Sequence, residues 1–397
     1  MVSTSATRGG AARVATTLTR ALNASGLGVR ATLFHCDDAV TVGDLVGLRR
    51  PMSRQINALL ARLAGDNLSF DFGVARELLR RAGEFDIVHL HNLHGYYLDF
   101  RRLLDGLRGR PVIWTWHDVW PITGRCGTTF ECTRWQTGCA PCPHRDYYPA
   151  AWIDWTARDY RERTRRLMGT NEIQMVTPSR WLAGLGAVRG YDPSRFAIIP
   201  NPGDLEELRP VHQPEARAAL NLPSAGPVLI FVASDCDAPH KGLDDYLYVV
   251  EKLGARGIAA GRSTHGSNRH VGFVGPVASR ERLALLYSAA DALIVPSLSD
   301  NYPNTAIEAQ VCGTPVFAYR VGGLPEQIPS FLPGLAEPHD RDGLVRLVAD
   351  FLRAGGKTES LSSRLRDHAV TTWKPAVVAE RYRDLYLRVL AGSYAAR

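Results

Sequence analysis

The residue types most able to do chemistry lie in one run: Pro296-Ser297-Leu298-Ser299-Asp300-Asn301-Tyr302-Pro303-Asn304-Thr305-Ala306-Ile307-Glu308-Ala309, followed by Cys312-Gly313-Thr314-Pro315-Val316. The pattern predicts a strand end, a polar loop, a cap at Asn304 or Thr305, and a short helix carrying Glu308 that Gly313 stops. Backbone N–H groups at such a helix start suit a pyrophosphate. One turn later, Glu308 is placed to accept hydrogen bonds from ribose hydroxyls. The plainer alternative is a capped surface helix with one solvated acid. A second candidate is Lys241 in Lys241-Gly242-Leu243-Asp244. Only four of the 47 basic residues are lysines, and a flexible point charge beside a glycine suits a phosphate as well as it suits solvent. His240 stands next to it as a further source of charge.

The first half offers histidines, glycines and cysteines. His89-Leu90-His91-Asn92-Leu93-His94-Gly95 and Trp114-Thr115-Trp116-His117-Asp118-Val119-Trp120 run off apolar stretches. A histidine there titrates near neutral pH or holds a hydrogen bond. A lone strand-end histidine is more often structural, and three together also permit a metal. Gly9 and Gly10 open a helical pattern through Val14, Leu18 and Leu22, where glycine lets backbone approach a phosphate or sugar. Cys126, Cys132, Cys139 and Cys142 fall within 17 positions. Only the last pair has zinc-like spacing, so a structural zinc loop stands against reduced thiols or a disulfide pair.

These residues need a scaffold. The 397-residue chain is 45% hydrophobic and 22% charged, which excludes collagen, coiled coil and wholesale disorder and suggests two or three domains. Its longest apolar runs are strand-sized, far short of the ~18 to 20 residues of a membrane-spanning helix. The opening residues lack a charged region followed by an apolar one, so the expected location is cytoplasmic. Short apolar runs alternate with helical patterns in both halves, predicting α/β units with parallel sheets. The strands expected are 85–90, 111–116, 173–176 and 196–199, then 228–232, 271–274, 292–295 and 315–319. A Pro-rich stretch at 201–226 reads as a hinge. The domains expected are 1–205, 206–375 and a final amphipathic helix at 376–397. Ligands of open parallel sheets bind at the carboxyl ends of strands, so two facing sheets would share a cleft.

The run from Asp300 to Glu308, with the C-G-T-P-V after it, resembles the D/E-x7-E signature of retaining GT-B glycosyltransferases of family 4. The resemblance implies two Rossmann-like, doubly wound parallel-sheet domains and a C-terminal helix crossing back to the first. It also implies that Asp300 bonds the donor sugar, that Glu308 holds the ribose, and that loop amides with Asn304 and Thr305 meet the diphosphate. Lys241-Gly242 resembles the family's diphosphate contact. The arginine usual a few positions upstream is replaced by Asp235-Cys236-Asp237, and His240 supplies part of the missing charge. Gly9-Gly10 is similar to the loop that closes on the donor. His117-Asp118 resembles the family's H-D, whose histidine faces the donor sugar, and His91 and His94 resemble its acceptor-side loop. The segment from His117 to Pro149 looks like a subgroup that builds exopolysaccharides of the colanic-acid type. The implied catalytic set is His117, Lys241 and Asp300.

A glycosidase pair lies ~5 to 9.5 Å apart, whereas eight helical positions span about 12 Å, so hydrolysis ranks low. Asp235-Cys236-Asp237 is a D-x-D of the kind that binds metal in GT-A enzymes, but so short a match occurs by chance, and no catalytic metal is invoked. Residues 1–200 hold 26 arginines, no lysine and 18 acids, whereas 201–397 are nearly neutral. That partition favours a glycan or lipid-linked acceptor of anionic or membrane-borne character over a small neutral one. Ile56, Leu59, Leu60 and Leu63 with Arg54 and Arg62 predict an amphipathic helix, expected to pack on the core or else to dock on a membrane surface. The donor expected is a nucleotide sugar, and nucleic acid is the least favoured partner because the arginines are scattered. The alternatives are a transferase to an inositol-like or natural-product acceptor, a GT-B epimerase or phosphorylase, and a sugar- or membrane-binding protein without activity.

Overall fold

The computed structural model describes residues 1–36, 41–48, 54–64, 72–145, 147, 149–169 and 173–395. They divide into two units, one of residues 1–200 with 378–397 and one of 201–377. In the first, Val2 bridges to both Phe34 and Leu90. There follow α1 (Gly10–Ala24), β1 (Leu33–His35), β2 (Leu45–Gly47), α2 (Arg54–Ala64), α3 (Phe72–Ala82), β3 (Val88–Leu90), α4 (Phe100–Gly106), β4 (Val112–Thr115), α5 (Thr156–Met168), β5 (Ile173–Thr177), α6 (Arg180–Val188) and β6 (Phe196–Ile198). β1 pairs with β2, and β3-β4-β5-β6 form a parallel sheet in that order.

Strand side chains alternate between faces, so each strand of this sheet feeds two cores. Val112 and Trp114 of β4 pack with Leu103, Leu167 and Leu182 from α4, α5 and α6. Ile113 between them packs on the opposite face with Leu18 and Leu22 of α1 and with Val378, Tyr382 and Tyr386 near the C-terminus. Burial on both faces makes Val112, Ile113 and Trp114 of β4 a continuous apolar run rather than an alternating one.

The second unit runs α7 (Gln213–Ala219), β7 (Val228–Asp235), α8 (Leu243–Lys252), β8 (Arg256–Arg262), β9 (Val271–Gly275), α9 (Arg280–Ala289), β10 (Ala292–Val295), α10 (Asn304–Val311), β11 (Val316–Tyr319), α11 (Leu324–Gln327), β12 (Leu335–Ala336), α12 (Arg341–Arg353) and α13 (Glu359–Trp373). The last helix, α14 (Pro375–Ala395), starts in this unit and contributes residues 378 onward to the first. The sheet is parallel with order β12-β11-β10-β7-β8-β9. The chain builds outward from β7 to β9 and then returns to β7's other side as β10. The loops leaving β7 and β10 therefore diverge at a topological switch point, where open α/β sheets receive ligands. The α/β expectation, with two doubly wound bodies, is met.

The helix expected around Ile56 forms as α2, but its apolar residues do not pack on the core. It buries Asn57 and Ala61 and leaves Ile56, Leu59 and Leu63 about half exposed. The small side chains, not the large ones, face inward. Among the described residues no helix is long and apolar enough to cross a membrane.

Candidate functional site

In the second unit, the loops after β7 and β10 are zipped together: Leu298 N donates to His240 O at 2.9 Å. Gly242 makes this approach possible. It has φ 72°, and a Cβ there would lie 2.0 Å from Pro296 O. Gly322, at φ 57°, presses on the other side, where a Cβ would lie 1.6 Å from Asp300 O. Held between them, Lys241 Nζ donates to Asp300 Oδ2 at 2.7 Å. His240 does not add the charge expected of it. Burial, aided by Lys241, pushes its pKa down to about 4, so it is neutral at physiological pH.

α10 begins one loop later. Its cap is Pro303, without a side-chain cap bond, so neither Asn304 nor Thr305 caps the helix. Asn304 Oδ1 instead accepts from Asn201 Nδ2 at 3.0 Å. Glu308, buried on this helix, is the centre of a network. Its Oε1 accepts from Arg280 Nη1 and Nη2 at 3.1 and 3.2 Å, and its Oε2 from Tyr287 Oη at 3.0 Å. Arg280 Nε turns to Asp204 at 3.0 Å. Sequence reasoning missed Arg280. Its only local signal is a position one residue past the cap Ser279, and its partners lie 28 and 76 residues away.

Both carboxylates of Asp235-Cys236-Asp237 are engaged. Asp235 pairs with Arg262 at 2.7 Å. Asp237 accepts from Ser263 Oγ and from Thr264 N, both at 2.6 Å, and from Thr264 Oγ1 at 2.8 Å. The motif ties the β7 loop to the β8 loop.

In the first unit, the segments after Val2, β3 and β4 leave the carboxyl edge of the sheet together. Thr4 Oγ1 donates to His94 O at 2.7 Å, and Trp114 Nε1 donates to His91 O at 2.8 Å. Gly9, at φ 89°, precedes α1, and Gly10 is its first residue. His91 Nδ1 lies 3.0 Å from His117 Nε2, with the rings stacked. Burial pushes the His117 pKa down to about 4 and that of His91 well below its ordinary value. Both rings are therefore neutral, and one donates its N–H to the other's lone pair. His94 Nε2 meets Asp118 Oδ2 at 2.6 Å. Burial alone would raise the Asp118 pKa, but His94 and the Trp120 amide hold it below the usual range. His89 packs against the His91 ring, with centroids 4.3 Å apart, and places Nδ1 2.8 Å from Tyr386 Oη and Nε2 2.8 Å from Thr115 Oγ1.

The four cysteines read as a candidate zinc loop lie between β4 and α5. Cys126, Cys132, Cys139 and Cys142 are all free thiols, and among the described residues no three His, Cys, Asp or Glu side chains are grouped to hold a metal ion. Cys139 Sγ is used locally as an acceptor from Gly124 N at 3.1 Å. Burial pushes Cys126 up to about 12 and Cys139 to about 11, so these thiols are inert rather than nucleophilic. The loop is fixed instead by the buried Arg163 of α5. Its guanidinium donates to the carbonyls of Trp120, Thr123 and Gly124 and lies 3.7 Å from the Trp120 ring centroid.

The family model Glycosyltransferase Family 4 matches residues 8–207, and Glycosyl transferases group 1 matches 212–368. The colanic acid biosynthesis glycosyl transferase WcaC of Escherichia coli (strain K12) is 28% identical over 286 residues, 67% of this chain and 68% of that one. D-inositol 3-phosphate glycosyltransferase 2 of Catenulispora acidiphila is 32% identical over 264 residues, 58% of this chain and 60% of that relative's length. Among solved structures, Anabaena HepE in complex with UDP-glucose superposes with TM-score 0.64 at 15% identity, covering 100% of this chain and 98% of that one.

Proposed function

The chain belongs to glycosyltransferase family 4, and from that premise we propose that it moves a sugar, with retained anomeric configuration, from a nucleotide sugar to a glycan or lipid-linked acceptor in surface polysaccharide synthesis. The observation that carries this reading is the meeting of Lys241 and Asp300 at the switch point, one loop from α10, which starts at Asn304 and carries Glu308. On this reading the second unit binds the donor. Lys241 and the amides at Asn304 and Thr305 take the diphosphate, Glu308 takes the ribose, and Asp300 takes the sugar. The first unit binds the acceptor through His91 and His94, with His117 supporting the reacting centre and the Gly9-Gly10 turn closing on the donor.

The reaction is an exchange at the anomeric carbon. The acceptor hydroxyl forms its C–O bond on the face from which the diphosphate leaves, its proton passes to a diphosphate oxygen, and the products are a glycoside and a nucleoside diphosphate. Charge develops on the leaving group, so the main contribution is a donor fixed in advance where that charge appears. Lys241 is that donor, and no metal is assigned a step. The HepE complex with UDP-glucose and the colanic acid role of WcaC support a nucleotide-sugar donor and a polysaccharide acceptor. The inositol-phosphate relative favours a second reading, transfer to a small phosphorylated polyol.

The exposed apolar face of α2 supports a peripheral seat on the cytoplasmic face of a membrane. The function is tested by following heat protection with a panel of nucleotide sugars, then assigning the anomeric configuration of the product. Inversion, or equal transfer after Glu308→Ala, overturns it.

A further inference from the structure

Arg125, in the loop between β4 and α5, is only 3% exposed, and its Nε and Nη2 meet no hydrogen-bond partner among the described residues. A guanidinium brings five donors and keeps its charge at physiological pH. Other buried arginines here are engaged: Arg217 binds Asp291 at 2.7 Å and the Ala289 carbonyl at 3.1 Å, and Arg163 binds three carbonyls. Arg125 has thiols for neighbours. Burial acts on its charge most strongly and disfavours it, and Cys142, Cys126, Tyr96 and Asp159, in that order, act the other way. Burial raises the pKa of both thiols, Cys126 to about 12, so neither supplies a counter-charge. Asp159, the one carboxylate among these neighbours, is paired with Arg158 at 3.3 Å.

The position is informative as well. Tyr96, two residues beyond His94, is among the groups that act on the charge of Arg125. Gly127, two residues beyond Arg125, packs on Asp118, where a Cβ would lie 3.4 Å from Oδ2. Its carbonyl accepts from Val119 N at 3.3 Å. Arg125 therefore belongs to the same wall as the His94–Asp118 pair. Keeping an unpaired cation buried is strongly unfavourable unless something it binds repays the desolvation.

We propose that Arg125 is the anion anchor of the acceptor site, binding a phosphate or carboxylate carried by the acceptor through its planar fork. This deepens the reading of the first unit as the acceptor side and rests on it.

The test is thermal unfolding of the full chain with inorganic phosphate or glucuronate against chloride at matched ionic strength, in wild type, Arg125→Gln, Arg125→Lys and Lys241→Ala. The expected result is saturable protection of wild type by one of the two probes, which identifies the anion. Half-saturation in Arg125→Gln should be roughly 10- to 100-fold weaker, the scale of a lost charged hydrogen bond. Protection should persist in Lys241→Ala, and Arg125→Gln alone should melt no lower than wild type, because it removes an unpaired buried charge. Arg125→Lys, which keeps the charge without the fork, should retain weakened protection, and it carries the test if the Gln variant does not fold. Undiminished protection in Arg125→Gln, loss in Lys241→Ala instead, or protection by neither probe overturns the proposal. UDP run in parallel separates the two readings, since protection of wild type and Arg125→Gln alike by UDP upholds the donor site whatever becomes of the anion anchor.

Discussion

Lys241 Nζ and Asp300 Oδ2 meet at 2.7 Å although 59 positions separate them, because β7 and β10 lie side by side. The pair neutralises itself while no donor is bound, and a diphosphate would draw the lysine away from the acid. Lys241→Ala should lower kcat by about 10²- to 10³-fold, the loss seen when a preset donor to a developing oxyanion is removed. The side chains are 26% and 14% exposed, so stability should change by no more than about 1 kcal/mol. Steady-state transfer kinetics with urea unfolding check both halves. Equal losses in rate and stability would make the pair structural.

Glu308 depends on Arg280 for its orientation, since two guanidinium nitrogens fix Oε1 while Tyr287 fixes Oε2. Arg280→Ala should free the carboxylate and raise the donor KM roughly tenfold with little change in kcat, because ribose binding is shared by ground and transition states. Glu308→Ala should in addition destabilise the fold by about 3 kcal/mol, as it leaves Arg280 buried with Asp204 alone. A kcat effect without a KM effect for Arg280→Ala would place the arginine in the chemistry instead.

Buried neutral histidines make stability fall on acidification. The His117 and His240 pKa values are both pushed down to about 4, against an ordinary value near 6.5 in the unfolded chain. Below about pH 6.5 the unfolded state takes up protons that the folded state refuses, so stability is lost from there down to about pH 4 and changes no further below that for these two groups. Each histidine should cost roughly 2 kcal/mol at pH 5 relative to pH 7.5. Urea midpoints at the two pH values measure their sum together with the contributions of His89 and His91, whose pKa values burial also pushes well down, and His240→Asn should remove roughly 2 kcal/mol of it. By the same logic, kcat/KM should show no limb from His91, His117 or His240 between pH 5.5 and 8.

The loop chemistry was legible in the sequence where it is local, and much less so where it depends on distant partners. Asp300, Glu308 and Lys241 stand out because a strand end, a glycine and a short helix mark them within a dozen residues of chain. Arg280 and Arg125 do not, because what distinguishes them is a carboxylate brought from far along the chain in one case and its absence in the other. Strand β8 was missed for a packing reason. Its run Arg256-Gly257-Ile258-Ala259-Ala260-Gly261-Arg262 holds a single β-branched residue, Ile258, and no aromatic, too few to signal a strand. Small residues are needed because Tyr246 lies on it, with its hydroxyl donating toward the carbonyls of Leu229 and Ile258, each 3.0 Å away. A Cβ on Gly257 would meet that oxygen at 2.8 Å. The core-packing expectation for α2 is not met for a related reason: periodicity locates the helix, but it cannot tell which side the chain turns inward.

The C-terminal helix is held to the first unit by polar contacts as well as by its apolar stripe. Tyr386 Oη lies 2.8 Å from His89 Nδ1, and Tyr382 Oη lies 3.0 Å from Thr115 Oγ1. Tyr386→Phe keeps the ring and strands a buried histidine nitrogen, which should cost about 1 to 3 kcal/mol. The urea midpoint should fall while donor protection at saturation persists. An unchanged midpoint would mean that water replaces the hydroxyl.

The exposed residues of α2 extend into a second segment. Trp152 N donates to Arg62 O at 3.1 Å, which brings Trp152, Ile153 and Trp155, 62%, 46% and 42% exposed, beside the helix that shows Ile56, Leu59 and Leu63. Arg158 lies over the Trp155 ring at 4.8 Å, in a half of the chain whose charged residues are predominantly arginine. Large apolar side chains with tryptophans and arginines at the edge suit a bilayer interface, where the rings sit among headgroups and the cations meet anionic lipid. Wild type should therefore sediment with phosphatidylglycerol-containing vesicles and much less with pure phosphatidylcholine, and the binding should weaken as salt rises. Leu59→Glu and Trp152→Glu should each reduce binding several-fold at unchanged melting temperature, since neither side chain contributes to the core. If both variants bind like wild type, the patch does not face a membrane, and the basic excess of this half serves the acceptor alone.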